Sequence, residues 1–265
     1  MTERETKMKN FTSALWAETL KMRKSRVPFF IWLGFSVAPL IAGLFMIIMK
    51  DPEAAKSMGL ISSKAQMLAG TADWTTFFSV ITQAVAVAGA ILFAILTGWV
   101  FGREYSDRTA KELLALPVSR GTILSAKFAL LVIVSLGMSL WVFLLGLLVG
   151  NLVDIPGYSA ALLRTAFVDT LGTALLTVAL IPFVAFVSSF GKGYMPAFGW
   201  AVFTVAIAQI AAITGWGDWL PWSVPALFSG AAGPRAEMLG AHSYIVVLLS
   251  SAVGLLITFY WWLFA

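Results

Sequence analysis

The chain has 265 residues, 60% of them hydrophobic and only 12% charged, with a mean hydropathy of +0.89. Soluble domains carry about 25% charged residues, so this composition excludes an ordinary soluble enzyme and indicates an integral membrane protein. The net charge of +5 is read as membrane topology and contact with anionic lipid, not as nucleic-acid binding, and the lack of cysteine excludes disulfides and thiolate chemistry.

Residues 1–27 are polar and charged, and they read as a cytoplasmic segment ahead of a single membrane domain spanning 28–265. Within the segment the pattern predicts a helix over Phe11–Arg26, with Asn10 as its cap. Phe11, Leu15 and Met22 share one face, Glu18 interrupts that face, and Trp16 and Leu20 project elsewhere. The expected element is an interfacial helix anchored by Trp16 and the basic cluster Lys21–Arg26; a solvated basic tail is the alternative. No small-residue cleavage pattern follows the first apolar run closely, so that run is expected to stay as an anchor.

Crossing about 30 Å of hydrocarbon takes about 20 apolar residues, and six stretches meet that length. They are Pro28–Ile48, Phe77–Val100, Thr122–Gly150, Phe167–Phe190, Met195–Thr214 and Ser243–Phe264. The third is long, and Thr122–Phe128 reads as a lead-in at the interface. Six spans leave both termini on one side. Thirteen Lys and Arg fall on that side and five on the other (Lys50, Lys56, Lys64, Arg164 and Arg235), so both termini are expected to be cytoplasmic. The fold class is therefore an all-α integral membrane protein, multi-pass in a bacterial plasma membrane.

The loop between spans two and three, from Arg103 to Arg120, is the one densely charged segment between long apolar runs. Thr109 and Glu112 have the spacing of a capping box, and Asp107–Lys111 and Arg108–Glu112 are opposite charges four residues apart. Leu113, Leu114 and Leu116 supply an apolar surface, and Pro117 forbids continuation. These residues predict a short cytoplasmic helix that either docks on a partner or lies on lipid headgroups.

Glu104, Thr109, Leu113–Leu114, Pro117, Arg120 and Lys127, together with the upstream stretch Leu15–Arg26 (LWAETLKMRKSR), resemble the cytoplasmic loop and N-terminal helix of ABC-2 type transporter permeases. Within that family the chain is most similar to the small permeases that accompany bacterial peptide-antibiotic resistance and lantibiotic immunity. The resemblance implies that Ser106–Leu116 is a coupling helix seated in a groove of a separate ATP-hydrolysing subunit. Glu104, Ser106, Asp107, Thr109, Glu112, Leu113, Leu114, Pro117 and Arg120 would form the coupling region. It further implies a second permease subunit, identical or not, with ATP and magnesium bound by the partner.

Other features agree with a chain that binds no nucleotide itself. There is no G-x-x-x-x-G-K-[S/T] loop, and Gly191-Lys192-Gly193 is a lone glycine turn. With His242 as the only histidine and no cysteine, neither zinc hydrolysis nor a Ser/His or Cys/His pair is expected, and His242 reads as an interfacial residue at the outer start of span six. Among ionisable residues inside the spans, Asp169 stands out. It is expected in the first outer turn of span four, with Arg164 as a partner, either as a hydrated interfacial charge or as a lining of the export path. Gln83 and Gln209 are further pathway candidates, or bridges between helices.

Gly98-x-x-x-Gly102 and Gly146-x-x-x-Gly150 predict close helix packing within the subunit, and Pro182 and Pro196 predict kinks or shortened ends. The last outer loop is aromatic, with Trp216, Trp219, Trp222 and Phe228 among Pro221 and Pro225. It reads as an interfacial belt, or, as the resemblance implies, as short re-entrant helices at the outer exit. The expected function is the membrane permease of an ATP-driven exporter of amphipathic cargo such as an antimicrobial peptide. The alternatives are an ATP-independent carrier or channel, which would carry more charge at the midplane, and a membrane scaffold.

Overall fold

The structure is a computed structural model that describes residues 3–51, 59, 71–107, 109, 118–232 and 239–264. In chain order the described helices are α1 (Glu3–Lys24), α2 (Val27–Lys50), α3 (Trp74–Ser106), α4 (Arg120–Leu152), α5 (Ala160–Ala179), α6 (Ile181–Phe190), α7 (Met195–Thr214), α8 (Val224–Phe228) and α9 (Ala241–Phe264). No strand occurs among the described residues. Six helical stretches are long and apolar enough to cross a membrane: α2, α3, α4, α5 with α6, α7 and α9. They correspond to the six predicted spans, with changed ends.

The changes have physical causes. Helix α1 runs through Asn10 from Glu3, so Asn10 lies inside it and caps nothing. Both α3 and α4 have 33 residues. At about 1.5 Å per residue each is about 50 Å long, roughly 20 Å more than the hydrocarbon core requires. The stretch Thr122–Phe128 belongs to α4, and Ile123, Leu124, Ala126 and Lys127 within it are buried, so it is a packed part of the protein and not a lead-in at the interface. Caps fix the starts. The Asp73 carboxylate accepts from the Thr76 N–H at 2.8 Å, and the Ser119 hydroxyl accepts from the Thr122 N–H at 3.1 Å.

Span four is broken at Leu180, between α5 and α6, with Pro182 in the first turn of α6. Proline there cannot supply the N–H that would continue the ladder. The Thr258 hydroxyl of α9 donates to the Pro182 carbonyl at 3.1 Å, and α9 crosses close enough that a Cβ on Gly254 would lie 2.5 Å from the Phe183 nitrogen. Pro196 sits in the first turn of α7.

Helix α3 is the central element, packing on α2, α4, α5, α6 and α7. Its two predicted glycine contacts both fall within the subunit. Gly102 faces the backbone of Gly193 and Tyr194, where a Cβ would approach the Gly193 carbonyl carbon to 2.4 Å. Gly150 of α4 lies under the Trp74 ring, and Gly146 faces Ile81. The outer faces of α2, α7 and α9 carry exposed Leu, Ile, Val and Phe, as lipid-facing helices do.

Two ends of the bundle are distinguished by contacts. At one end lie α1, the close of α3, the start of α4, the turn before α7 and the C-terminus of α9, the last tied to Arg120, whose guanidinium donates to the Trp262 and Leu263 carbonyls at 3.0 and 3.3 Å. At the other end Lys50 closes α4 by donating to the Val153 and Asp154 carbonyls at 2.6 and 2.7 Å.

Candidate functional site

At the end that carries α1, four charged side chains meet on three helices. The Lys127 ammonium of α4 donates to Glu104 Oε1 of α3 at 2.8 Å, to Glu18 Oε2 of α1 at 3.2 Å and to the Val100 carbonyl at 3.0 Å. Lys21, also on α1, reaches Glu18 Oε1 at 2.6 Å and Glu104 Oε1 at 3.2 Å. Two cations therefore balance two carboxylates. Lys127 is 0% exposed, Glu104 2% and Glu18 5%.

Local sequence explains how they come to meet. On α1, Leu15, Glu18 and Met22 follow helical spacing, and all three turn toward the bundle. Glu18 thus belongs to the packed face and does not interrupt it. Lys127 sits among buried Leu124, Ala126, Leu130 and Leu131, and its ammonium lies over the Phe101 ring, 5.8 Å from the ring centre. A charge so enclosed is tolerable only when paired and hydrogen-bonded. Burial pushes the Glu18 carboxyl up, but Lys127 and Lys21 beside it outweigh this and hold it below the usual carboxylate range. Glu104 Oε2 is buried and has no hydrogen-bond partner among the described residues.

Of the predicted coupling residues, Glu104 enters this cluster, and Arg120 instead holds the end of α9. Ser106 is the exposed last residue of α3, and Asp107 follows as its cap, its N–H donating to the Arg103 carbonyl. Thr109 is exposed, and its N–H donates to the Glu104 carbonyl at 2.9 Å, which ties the loop back onto the helix end. Glu112, Leu113, Leu114 and Pro117, and with them most of the predicted helix Ser106–Leu116, lie outside the described residues. Sequence reading missed the partnership of Glu18 with Lys127. The signal was present: each is an ionisable residue at a position that helical spacing turns inward.

A second polar feature lies at the opposite end. Between α3 and α5, under α8, is a cavity of about 210 Å³ lined in part by Thr75, Phe78, Ser79, Thr82, Thr165, Asp169, Phe228 and Ser229. Helix α5 begins at Ala160, so Asp169 is its tenth residue and not in its first turn as expected. Arg164 is exposed, and no described residue forms an ion pair with Asp169. Thr82 and Thr170 share a hydrogen bond of 2.9 Å that joins α3 to α5 beside the cavity. Phe228 reaches it because Gly172 leaves room for the ring, where a Cβ would come within 3.0 Å. Gln83 donates to the Ser79 hydroxyl at 2.9 Å without lining the cavity, and Gln209 is half-buried on α7, also outside it.

The aromatic loop at this end is partly inserted. Trp216 and Trp219 are exposed, whereas α8 is buried and Trp222 packs edge-on against Phe183 and Trp200. His242 is engaged by this loop: its Nε2 is 2.9 Å from Asp218 Oδ2, and its ring stacks on Trp219 at 4.6 Å. Among the described residues no cluster of His, Cys, Asp and Glu has the makings of a metal site.

Comparison with known proteins bears on which features matter. Residues 14–208 match the sequence model of a family described as ABC-2 family transporter protein. The chain is also 31% identical over 188 residues to the bacitracin transport permease protein BCRB of Bacillus licheniformis, covering 69% of this chain and 88% of that protein. The matched segment takes in Glu18, Lys21, Glu104, Lys127 and Asp169.

Proposed function

The chain belongs to the ABC-2 family of transporter proteins, and on that premise we propose how this permease subunit of an ABC exporter is coupled to its energy source and what it carries. It is a multi-pass protein of the plasma membrane. The end bearing α1, the loop after Ser106 and the C-terminus of α9 faces the cytoplasm, in keeping with thirteen Lys and Arg on that side against five on the other. There Ser106–Leu116 serves as the coupling helix and docks in a groove of a separate ATP-binding cassette subunit, which holds ATP and magnesium and performs the hydrolysis. Two permeases and two ATPases make the working unit.

The observation that carries this reading is the cluster of buried Glu18, Glu104 and Lys127 with half-buried Lys21 at the root of that loop. Glu104 stands three residues before Asp107, and Lys127 seven after Arg120. Their pairing, with Glu18 and Lys21 from α1, joins three helices where the loop departs and returns. Helices α3 and α4 extend about 20 Å beyond the hydrocarbon requirement. Force applied to the loop by a closing ATPase pair would move α1, α3 and α4 as one lever and shift spans two and three against those of the second permease. The cargo is an amphipathic antimicrobial peptide; the similarity to a bacitracin transport permease favours that class.

The test is ATP-driven uptake of a labelled peptide antibiotic into everted vesicles. Leu113→Arg in the loop should abolish uptake while the chain still inserts and folds. Undiminished uptake by that variant would contradict the docking site.

A further inference from the structure

We propose that the cavity holding Asp169 is a binding site for the primary ammonium group of an amphipathic molecule at the outer-leaflet level. The inference rests on the exporter reading for its orientation in the membrane. Its chemistry rests on the cavity alone.

Among the described residues Asp169 is the one acidic side chain lining the cavity, and it sits about 14 Å along α5 from the helix start, at about 1.5 Å per residue. Asp169 is half-buried on the cavity wall, and an ionised carboxylate withdrawn from water there gains from a counter-charge, so the site prefers a ligand that brings one. No described cation supplies it; Arg164, one and a half turns earlier, is exposed and makes no ion pair with it among the described residues.

The other walls define which cation fits. Thr75, Ser79 and Thr165 present hydroxyls, each of which can accept a hydrogen bond. An ammonium has three N–H donors, and one carboxylate with two hydroxyl oxygens satisfies them. Phe78 and Phe228 supply apolar and π surface for the carbon beside the nitrogen. A divalent metal is disfavoured, because the described lining offers a single carboxylate with no histidine or second acid, a poor donor set for it. An anionic headgroup would be repelled. The volume, about 210 Å³, admits a headgroup-sized moiety and not a folded peptide.

Two sources share this chemistry: the amine headgroup of phosphatidylethanolamine and a free amino group of exported peptide. The experiment uses the full chain in nanodiscs of digalactosyl diacylglycerol, which is uncharged and amine-free, with radiolabelled dodecylammonium as the probe. Binding is measured above partition into protein-free discs and without ATPase, so that a failure here is separate from a failure of coupling. The expected result is a saturable site, weakened at least tenfold in Asp169→Asn and retained in Asp169→Glu, with dodecanol failing to compete. Thermal unfolding of each variant in the same discs reports that it is folded. Displacement by phosphatidylethanolamine identifies the lipid as occupant; displacement only by an amine-bearing peptide identifies cargo. Equal binding by wild type and a folded Asp169→Asn, or equal competition by dodecanol, would overturn the proposal.

Discussion

Lys127 and Glu104 lie 2.8 Å apart, buried, on the two helices that flank the loop after Ser106. The pair therefore closes the base of the loop, and Glu18 adds the N-terminal helix to the same contact at 3.2 Å. Removing one member of a buried pair leaves an uncompensated charge and costs about 3–5 kcal/mol. Lys127→Met, which leaves two carboxylates facing each other, should lower the midpoint of thermal unfolding in detergent strongly. Replacing the set together, with Glu18→Gln and Glu104→Gln added to Lys127→Met, should recover much of the loss. If the triple variant is destabilised by the sum of the single effects, the charges are not acting as a unit.

Acid should release α1. The Glu18 carboxyl is held below its ordinary value by Lys127 and Lys21 against the opposing effect of burial. Its contribution to stability is then fully present above the unfolded value, about 4.3, and is lost as pH falls through the lower folded value. Limited proteolysis near Ser25 should accelerate below about pH 4 and stay flat between pH 6 and 8. Glu18→Gln should remove most of that acid dependence.

The predicted outline survived where residue type and spacing act locally. Six apolar runs gave six spans, Pro182 broke span four, and the two glycine pairs marked the close faces of α3 and α4. Errors arose where a distant partner decides the outcome. Glu18 reads as a defect in an apolar face until Lys127, 109 residues away, is set opposite it. Asn10 has the chemistry of a cap, but the helix continues through it because residues before it are also good helix formers. Asp169 and Arg164 are close in sequence, yet five residues on a helix turn the two side chains to different faces.

Close backbone approach makes Gly102 intolerant. A Cβ there would lie 2.4 Å from the Gly193 carbonyl carbon and 2.6 Å from the Tyr194 nitrogen, and backbone cannot step aside as a flexible side chain can. Gly102→Ala should cost about 1–3 kcal/mol by overpacking. Gly34→Ala, on a helix face with nothing within 4 Å, is the control and should leave thermal stability unchanged or raise it by up to about 1 kcal/mol.

The Asp73 cap sets the start of α3. Its carboxylate accepts from the Thr76 N–H and from the Thr71 hydroxyl, and these bonds, working against partial burial, hold its carboxyl below the usual range. Asp73→Ala should cost about 1 kcal/mol, read from detergent unfolding, and Asp73→Asn should recover part of it.

The central claim is that this permease works on energy supplied by another chain, and affinity purification from native membranes in a mild detergent tests it most directly. The account predicts that mass spectrometry of the purified complex finds an ATP-binding cassette subunit in equal number to the permease. It also predicts that this subunit is lost in Leu113→Arg while the permease remains folded. Recovery of an intact, folded permease with no such subunit, reproducibly and from cells in which transport is active, would contradict it.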